Sequence, residues 1–336
     1  MRRKILLLQP IHDAGLALLR ERDDVRFAVA SATSEDTLIR EVGDAHAIIA
    51  RSTPVTRAII DAAGDLCVMS RHGVGYDSVD VARLTERGIP LTIAIHGNAL
   101  SVAEHTLYLI LALAKRGFSF DEAVGRGNFD IRDSLLGADI AGKSLLIIGF
   151  GRIGSRVARL AQAFGMKVFA YDPYIDQSSI DSAGCAPVDD YFSALASMDV
   201  ITLHCPLTEE TRDMIGEREL EAMKPSAYLV NCARGGIIDE RALYVALKNK
   251  DIAGAGLDVF VTEPPPAGDP LLALDNLITS PHVAGVTLEA SIRMATGAAR
   301  NVLAAFDGTL DPAVVVNAEV LSVTALPTGP ARPLRP

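Results

Sequence analysis

The chain has 336 residues, 49% of them hydrophobic and 22% charged, with a formal net charge of −10. That length suits about two domains with sizeable cores. The acidic balance argues against a nucleic-acid or anionic-membrane partner, while leaving room for a local basic pocket that takes a small anion.

The opening Met-Arg-Arg-Lys-Ile-Leu-Leu-Leu imitates a signal peptide for a few residues, but Gln9, Pro10, His12 and Asp13 end the apolar run too early. It reads instead as a first strand. Strands are expected at 4–8, 25–29, 47–50, 66–70 and 90–93, and helices at 13–21, 35–42, 57–63 and 79–86. This alternation implies a parallel sheet with helices on both faces.

Residues 101–116 read as a helix that is apolar nearly all round, to be buried between domains or at a subunit interface. Its most apolar part, Val102 to Ala114, is too short to span a bilayer and carries Glu104 and His105. Those two polar residues are read as structural.

A second α/β unit starts near Lys143. Ser144 to Ile148 is a strand buried on both faces, followed at once by Gly149-Phe150-Gly151-Arg152-Ile153-Gly154 and by a helical pattern from Ile153 to Phe164. Gly149 allows a tight turn, Gly151 lets backbone approach a pyrophosphate, and Gly154 lets helix and strand pack closely. The helix N-terminus then favours the phosphates. A strand at 167–171 ends in Asp172, 18 residues past Gly154, where a carboxylate can accept from ribose hydroxyls. No cation among Pro173 to Asp176 answers a 2′-phosphate, so the expected cofactor is NAD.

Further strands are expected at 200–203, 227–231, 254–257 and 277–280. Arg234, Glu263 and His282 follow the last three, on the edge where a doubly wound sheet binds ligands. Singly, they could be a turn arginine, a solvated carboxylate and a capped structural histidine. Together they suit a 2-keto acid: arginine clamps its carboxylate, histidine exchanges a proton with its oxygen, and glutamate favours the charged histidine and fixes its tautomer. A helix at 288–306 and the valine run 314–316 are expected to return to the first domain, and the proline-rich 325–336 to be disordered. The four cysteines, Cys67, Cys185, Cys205 and Cys232, are far apart, with no metal or disulfide spacing, as in a cytoplasmic protein with reduced thiols.

These segments together resemble the D-isomer-specific 2-hydroxyacid dehydrogenase family, in its phosphoglycerate dehydrogenase and hydroxypyruvate reductase branch. The resemblance covers about residues 4–320. It rests on Arg51-Ser52-Thr53, Gly73-Val74-Gly75-Tyr76-Asp77, Asn98 to His105, the glycine turn, His204-Cys205-Pro206-Leu207-Thr208, Asn231 to Asp239, Gly256 to Phe260, Glu263-Pro264 and Ser280-Pro281-His282. It implies two doubly wound parallel-sheet domains: a split flavodoxin-like substrate domain (1–98 and 288–324) and a Rossmann NAD-binding domain (99–287). It implies Arg234, Glu263 and His282 as catalytic trio. Arg152 and Ile153 would line the pyrophosphate turn, and His204, Cys205, Pro206 and Thr211 the adenosine side. Cys232, Ala233, Asp258 and Gly285 would face the nicotinamide. Val74 and Gly75 would bind the substrate carboxylate, with Ser52 beside them, and Arg51 and Arg71 would form an anion site for a distal phosphate. His72, where phosphoglycerate dehydrogenases have a small residue, weakens that last expectation. The family is homodimeric through the NAD-binding domain, and no serine feedback through a regulatory domain is expected. The NADH-sensing corepressors and the formate and phosphite dehydrogenases share the resemblance and stand as alternatives.

Overall fold

The computed structural model describes residues 2–323; the expectation for 325–336 lies outside the described residues. The chain forms two compact units, passing from the first to the second between Asn98 and Ala99 and back between Gly285 and Val286. The sequence reading placed the return two residues later.

The first unit opens with β1 (Arg3–Leu7), α1 (Asp13–Arg20), β2 (Val25–Val29), α2 (Glu35–Glu41), β3 (Ala47–Ala50), α3 (Arg57–Ala62), β4 (Val68–Arg71), α4 (Val81–Glu86) and β5 (Leu91–Ile93). The sheet is parallel throughout, in the order β2-β1-β3-β4-β5. This is the flavodoxin-like order, in which helices cover both faces and strands read as continuous apolar runs. All four residues of β3 are buried accordingly. Side chains act as helix caps at the same boundaries: His12 accepts from the Ala14 amide, Thr56 from Ile59 and Asp80 from Arg83.

The second unit begins with α5 (Ala99–Ala114) and α6 (Gly117–Gly125). It continues through β6 (Ser144–Ile148), α7 (Gly154–Ala163), β7 (Lys167–Tyr171), α8 (Gln177–Ser182), β8 (Ala186–Pro187), α9 (Tyr191–Ala194), β9 (Val200–Leu203), α10 (Glu217–Ala222), β10 (Tyr228–Asn231), α11 (Glu240–Asn249), β11 (Gly254–Leu257) and β12 (Leu277–Thr279). Its seven strands run β12-β11-β10-β9-β6-β7-β8, all parallel. Counted from β6, this is the 3-2-1-4-5-6 Rossmann order with one strand added at the β12 edge. The strand order reverses between β6 and β9, so their carboxyl ends frame the topological switch point. One apolar core lies on each face of the sheet, with Leu109, Ile110 and Val157 on one side and Leu220, Leu243 and Leu247 on the other.

The buried side of α5 packs on α7, β10 and β11 of its own unit. Gly256 makes room for it: a Cβ there would lie 3.2 Å from the Leu109 Cβ. Glu104 and Tyr108 remain exposed on the other side.

The chain finally returns to the first unit through α12 (Leu288–Asp307), capped by Thr287 and packed on α1 and β4. Val315 then bridges Thr92 beside β5, and the buried Asn317 accepts from the Leu91 amide, as the expected return requires. No helix among the described residues is long and apolar enough to cross a membrane.

Candidate active site

The glycine turn between β6 and α7 is built by close approach. Gly149 has φ +97°, and a Cβ there would lie 2.6 Å from the His204 carbonyl carbon at the end of β9. A Cβ on Gly154 would collide with the Gly149 carbonyl oxygen and sit 3.1 Å from Ile147. At Gly151 a Cβ would meet nothing within 4 Å, so the turn presents bare backbone to open space. Helix α7 begins at Gly154 without a side-chain cap on its amides, the condition under which a helix N-terminus takes an anion. Arg152 is exposed beside this turn and Ile153 is half-buried.

Asp172 is fixed to the same turn. Its Oδ2 accepts from the Phe150 amide at 2.8 Å and its Oδ1 from the Tyr174 amide at 2.9 Å, leaving further lone pairs for hydroxyl donors. Across the switch point, burial pushes the His204 imidazole down to about 3 and the Cys205 thiol up to about 11, so both are neutral. His204 Nε2 lies 3.0 Å from the Thr202 hydroxyl. The following loop is tied by Thr211 Oγ1, which donates to the Pro206 carbonyl at 2.6 Å and accepts from the Thr208 amide. These residues fit a dinucleotide: open backbone for the phosphates, an oriented acid for the ribose, and neutral walls beside it.

The candidate chemical residues follow β10, β11 and β12 on this same edge. Asn231 closes the first turn, its Oδ1 accepting from the Ala233 amide and its Nδ2 donating to the Arg234 carbonyl. Arg234 Nη1 donates to the Ala233 carbonyl at 2.6 Å. Glu263 Oε1 accepts from the Phe260 amide, and its Oε2 lies 2.8 Å from His282 Nδ1. His282 sits at φ +54°, a left-handed conformation that costs a non-glycine residue roughly 1–3 kcal/mol. His282 and Glu263 side chains are 50% and 37% exposed, so both reach open space.

Three residues expected to face the nicotinamide are buried. Asp258 is 1% exposed. A buried carboxylate needs donors, and it takes them from the loop after β12: Ser280 Oγ and the amides of Val283 and Ala284. Cys232 and Ala233 are likewise buried, and desolvation pushes the Cys232 thiol up to about 12. Gly285 stays half-buried at the end of the loop. Sequence reasoning missed Asn231 and Glu240. The first is legible as an Asx turn at a strand end. The second, whose Oε1 accepts from the Val261 amide at 2.7 Å, has no local signal.

In the first unit, Arg71 is held by backbone carbonyls. Its Nε donates to the Gly75 carbonyl at 2.7 Å and its Nη1 to the Ala50 carbonyl at 3.2 Å. The guanidinium thereby buttresses the turn holding Val74 and Gly75. Arg51 Nη1 donates to the Pro10 carbonyl. Gln9 Oε1 accepts from the amides of Ser52 and Thr53, fixing that loop. His72 is buried, and desolvation together with the charges of Arg51 and Arg71 holds it down to about 4, hence neutral.

Residues 107–284 match the family described as D-isomer specific 2-hydroxyacid dehydrogenase, NAD binding domain. The chain is 42% identical over 313 residues to D-3-phosphoglycerate dehydrogenase of Methanocaldococcus jannaschii, covering 93% of this chain and 59% of that protein. It is 37% identical to glyoxylate reductase of Korarchaeum cryptofilum, covering 96% and 98%. The structure of D-lactate dehydrogenase from Aquifex aeolicus, complexed with NAD and lactic acid, superposes with a TM-score of 0.83 at 30% identity, covering 94% of this chain and 99% of that one.

Proposed function

The chain belongs to the D-isomer-specific 2-hydroxyacid dehydrogenase family, and from that premise we propose that it interconverts a small, anionic 2-keto acid and its D-2-hydroxy acid with NAD as cofactor. The observation that carries this reading is the 2.8 Å pairing of His282 Nδ1 with Glu263 Oε2 on the ligand-binding edge of the sheet. With Nδ1 engaged, Nε2 is the nitrogen left to exchange a proton with the substrate oxygen. Glu263 keeps the ring oriented so that Nε2 is the nitrogen offered to the substrate. Arg234, at the end of neighbouring β10, pairs with the substrate carboxylate and polarises the keto group. When bound, the nicotinamide supplies or accepts the hydride. Strand order places these groups in sequence: His282 after β12, Glu263 after β11, Arg234 after β10, the glycine turn after β6 and Asp172 after β7. Proton chemistry and ribose recognition therefore occupy opposite ends of one edge.

In the substrate, we favour a keto acid without a distal phosphate, reading Arg71 as a buttress of the Val74–Gly75 turn because two of its N–H groups donate to the Gly75 and Ala50 carbonyls. Oxidation of NADH should be followed with glyoxylate, hydroxypyruvate and phosphohydroxypyruvate, and repeated with NADPH. We expect NADH to be preferred and one of the unphosphorylated acids to have the highest kcat/KM. A preference for phosphohydroxypyruvate would return Arg51 and Arg71 to an anion-clamp role. Binding of NADH with no turnover of any acid would favour a sensor instead.

The protein should also be a homodimer through the NAD-binding unit. An apolar groove of about 760 Å³ runs along α5, α6 and α7, lined by Leu107, Tyr108, Leu111, Phe118, Leu160 and Phe164. Tyr108, Phe118 and Phe164 are each about half exposed there, as are Val124 and Phe129 nearby. Contiguous exposed apolar surface of this kind marks an interface. Light scattering on the purified chain should give twice the monomer mass; a monomer at tens of micromolar would refute it.

A further inference from the structure

We propose that His105, on α5, is a positioning residue for His282, acting through Ser280 and the buried carboxylate of Asp258. This rests on the acid–base reading of His282. His105 Nε2 lies 2.9 Å from Ser280 Oγ, and Ser280 Oγ donates to Asp258 Oδ1 at 2.6 Å. A hydroxyl carries one proton. Since Ser280 gives its own to the carboxylate, its oxygen can only accept from the imidazole, so His105 carries its proton on Nε2. Donor and acceptor then line up in one direction, His105 to Ser280 to Asp258, and each bond polarises the next.

The far end of this chain is what holds His282. Three successive amides close on Asp258: His282 N–H donates to its carbonyl at 2.8 Å, Val283 N–H to Oδ1 at 2.8 Å and Ala284 N–H to Oδ2 at 2.9 Å. Between them they wrap the loop round one residue and impose the φ of +54° at His282. That strained conformation survives only while its surroundings over-determine it. Asp258 is 1% exposed, so no solvent replaces a lost donor. Without the His105 proton, Ser280 is free to rotate, Oδ1 loses its strongest donor, and the carboxylate turns with the loop it anchors. His282 then leaves its 2.8 Å contact with Glu263. His105 is itself held from the other side by Tyr108, ring centroids 5.4 Å apart.

The test compares the full-length protein with His105→Leu and His105→Gln. Leucine keeps bulk and removes the donor, whereas glutamine offers an amide N–H near the place of Nε2. Reduction of hydroxypyruvate by NADH is followed, with KM, the Kd for NADH and the primary isotope effect from NADH deuterated at C4. We expect His105→Leu to lower kcat about tenfold through misplacement of the proton donor, to raise the isotope effect as hydride transfer becomes limiting, and to leave the Kd for NADH unchanged. His105→Gln should recover most of kcat. A merely structural His105 would lower the melting temperature in both variants without separating their kcat values. Wild-type kcat in His105→Leu, or equal loss in both variants, would overturn the proposal. If His105→Leu does not fold, Ser280→Ala removes the other half of the bridge and must show the same loss. His282→Ala is assayed alongside: if it is inactive while His105→Leu is normal, this proposal alone fails. Retained turnover in His282→Ala would overturn the acid–base reading and this proposal with it.

Discussion

Replacing His282 by alanine is expected to lower kcat by roughly 10²- to 10⁴-fold, the range for loss of a positioned acid–base group, while the Kd for NADH stays within about twofold because no contact of the pyrophosphate turn is touched. Distance along the sheet is the reason. His282 follows β12 at one edge, whereas Gly149–Gly154 and Asp172 follow β6 and β7 beyond β11, β10 and β9. The backbone complicates a single variant, since alanine at φ +54° is strained while asparagine tolerates that region better. His282→Asn therefore serves as partner: it keeps the turn and removes the proton. Both variants should be equally slow on glyoxylate or hydroxypyruvate. Recovery in His282→Asn alone would assign the defect of His282→Ala to the loop rather than to proton transfer. Wild-type turnover in both would remove His282 from the mechanism.

How much of this arrangement could be read in advance depends on the range of the interaction. Strands such as 47–50, 144–148 and 254–257 were legible because a parallel strand buried on both faces is a short continuous apolar run. The glycine turn was legible because its geometry is local: Gly149 at φ +97° and Gly154 against Gly149 lie within one strand–turn–helix unit. The burial of α5 was legible but its partner was not, since an apolar face does not say which surface will cover it. Helix α6 and the short helical turn Phe129–Asp133 gave no comparable signal. Arg71 and Asp258 show the deeper limit. Both carry polar side chains near a ligand-binding edge, and both are engaged by backbone or hydroxyl groups distant in sequence, Ala50 for one and Ser280 to Ala284 for the other. Residue type and position along a strand do not reveal such competition, because it is decided by which donors and acceptors the tertiary fold brings within 3 Å.

Gly235→Ala should lower kcat by about 10²-fold, the scale set by displacing reacting groups by about 1 Å, and should destabilise the fold by about 1–3 kcal/mol through overpacking. A Cβ at Gly235 would land on the Phe260 carbonyl and lie 2.6 Å from the Val261 amide nitrogen. Both neighbours are backbone, so neither can move aside as a flexible side chain would. The collision separates the turn carrying Arg234 from the loop carrying Glu263, whose Oε1 is anchored on the Phe260 amide. Moving that amide moves the carboxylate, and with it the partner that orients His282. Gly151→Ala should behave in the opposite sense. Its Cβ meets no protein atom within 4 Å, so folding is spared, yet it projects into the space where a pyrophosphate must approach. Its defect should fall on the Kd for NADH, with kcat at saturating cofactor close to wild type. Thermal melts, NADH titrations and saturation kinetics on the two variants separate these effects. If Gly235→Ala lost NADH affinity and kept kcat, the division of the sheet edge into a chemical end and a cofactor-holding end would be wrong.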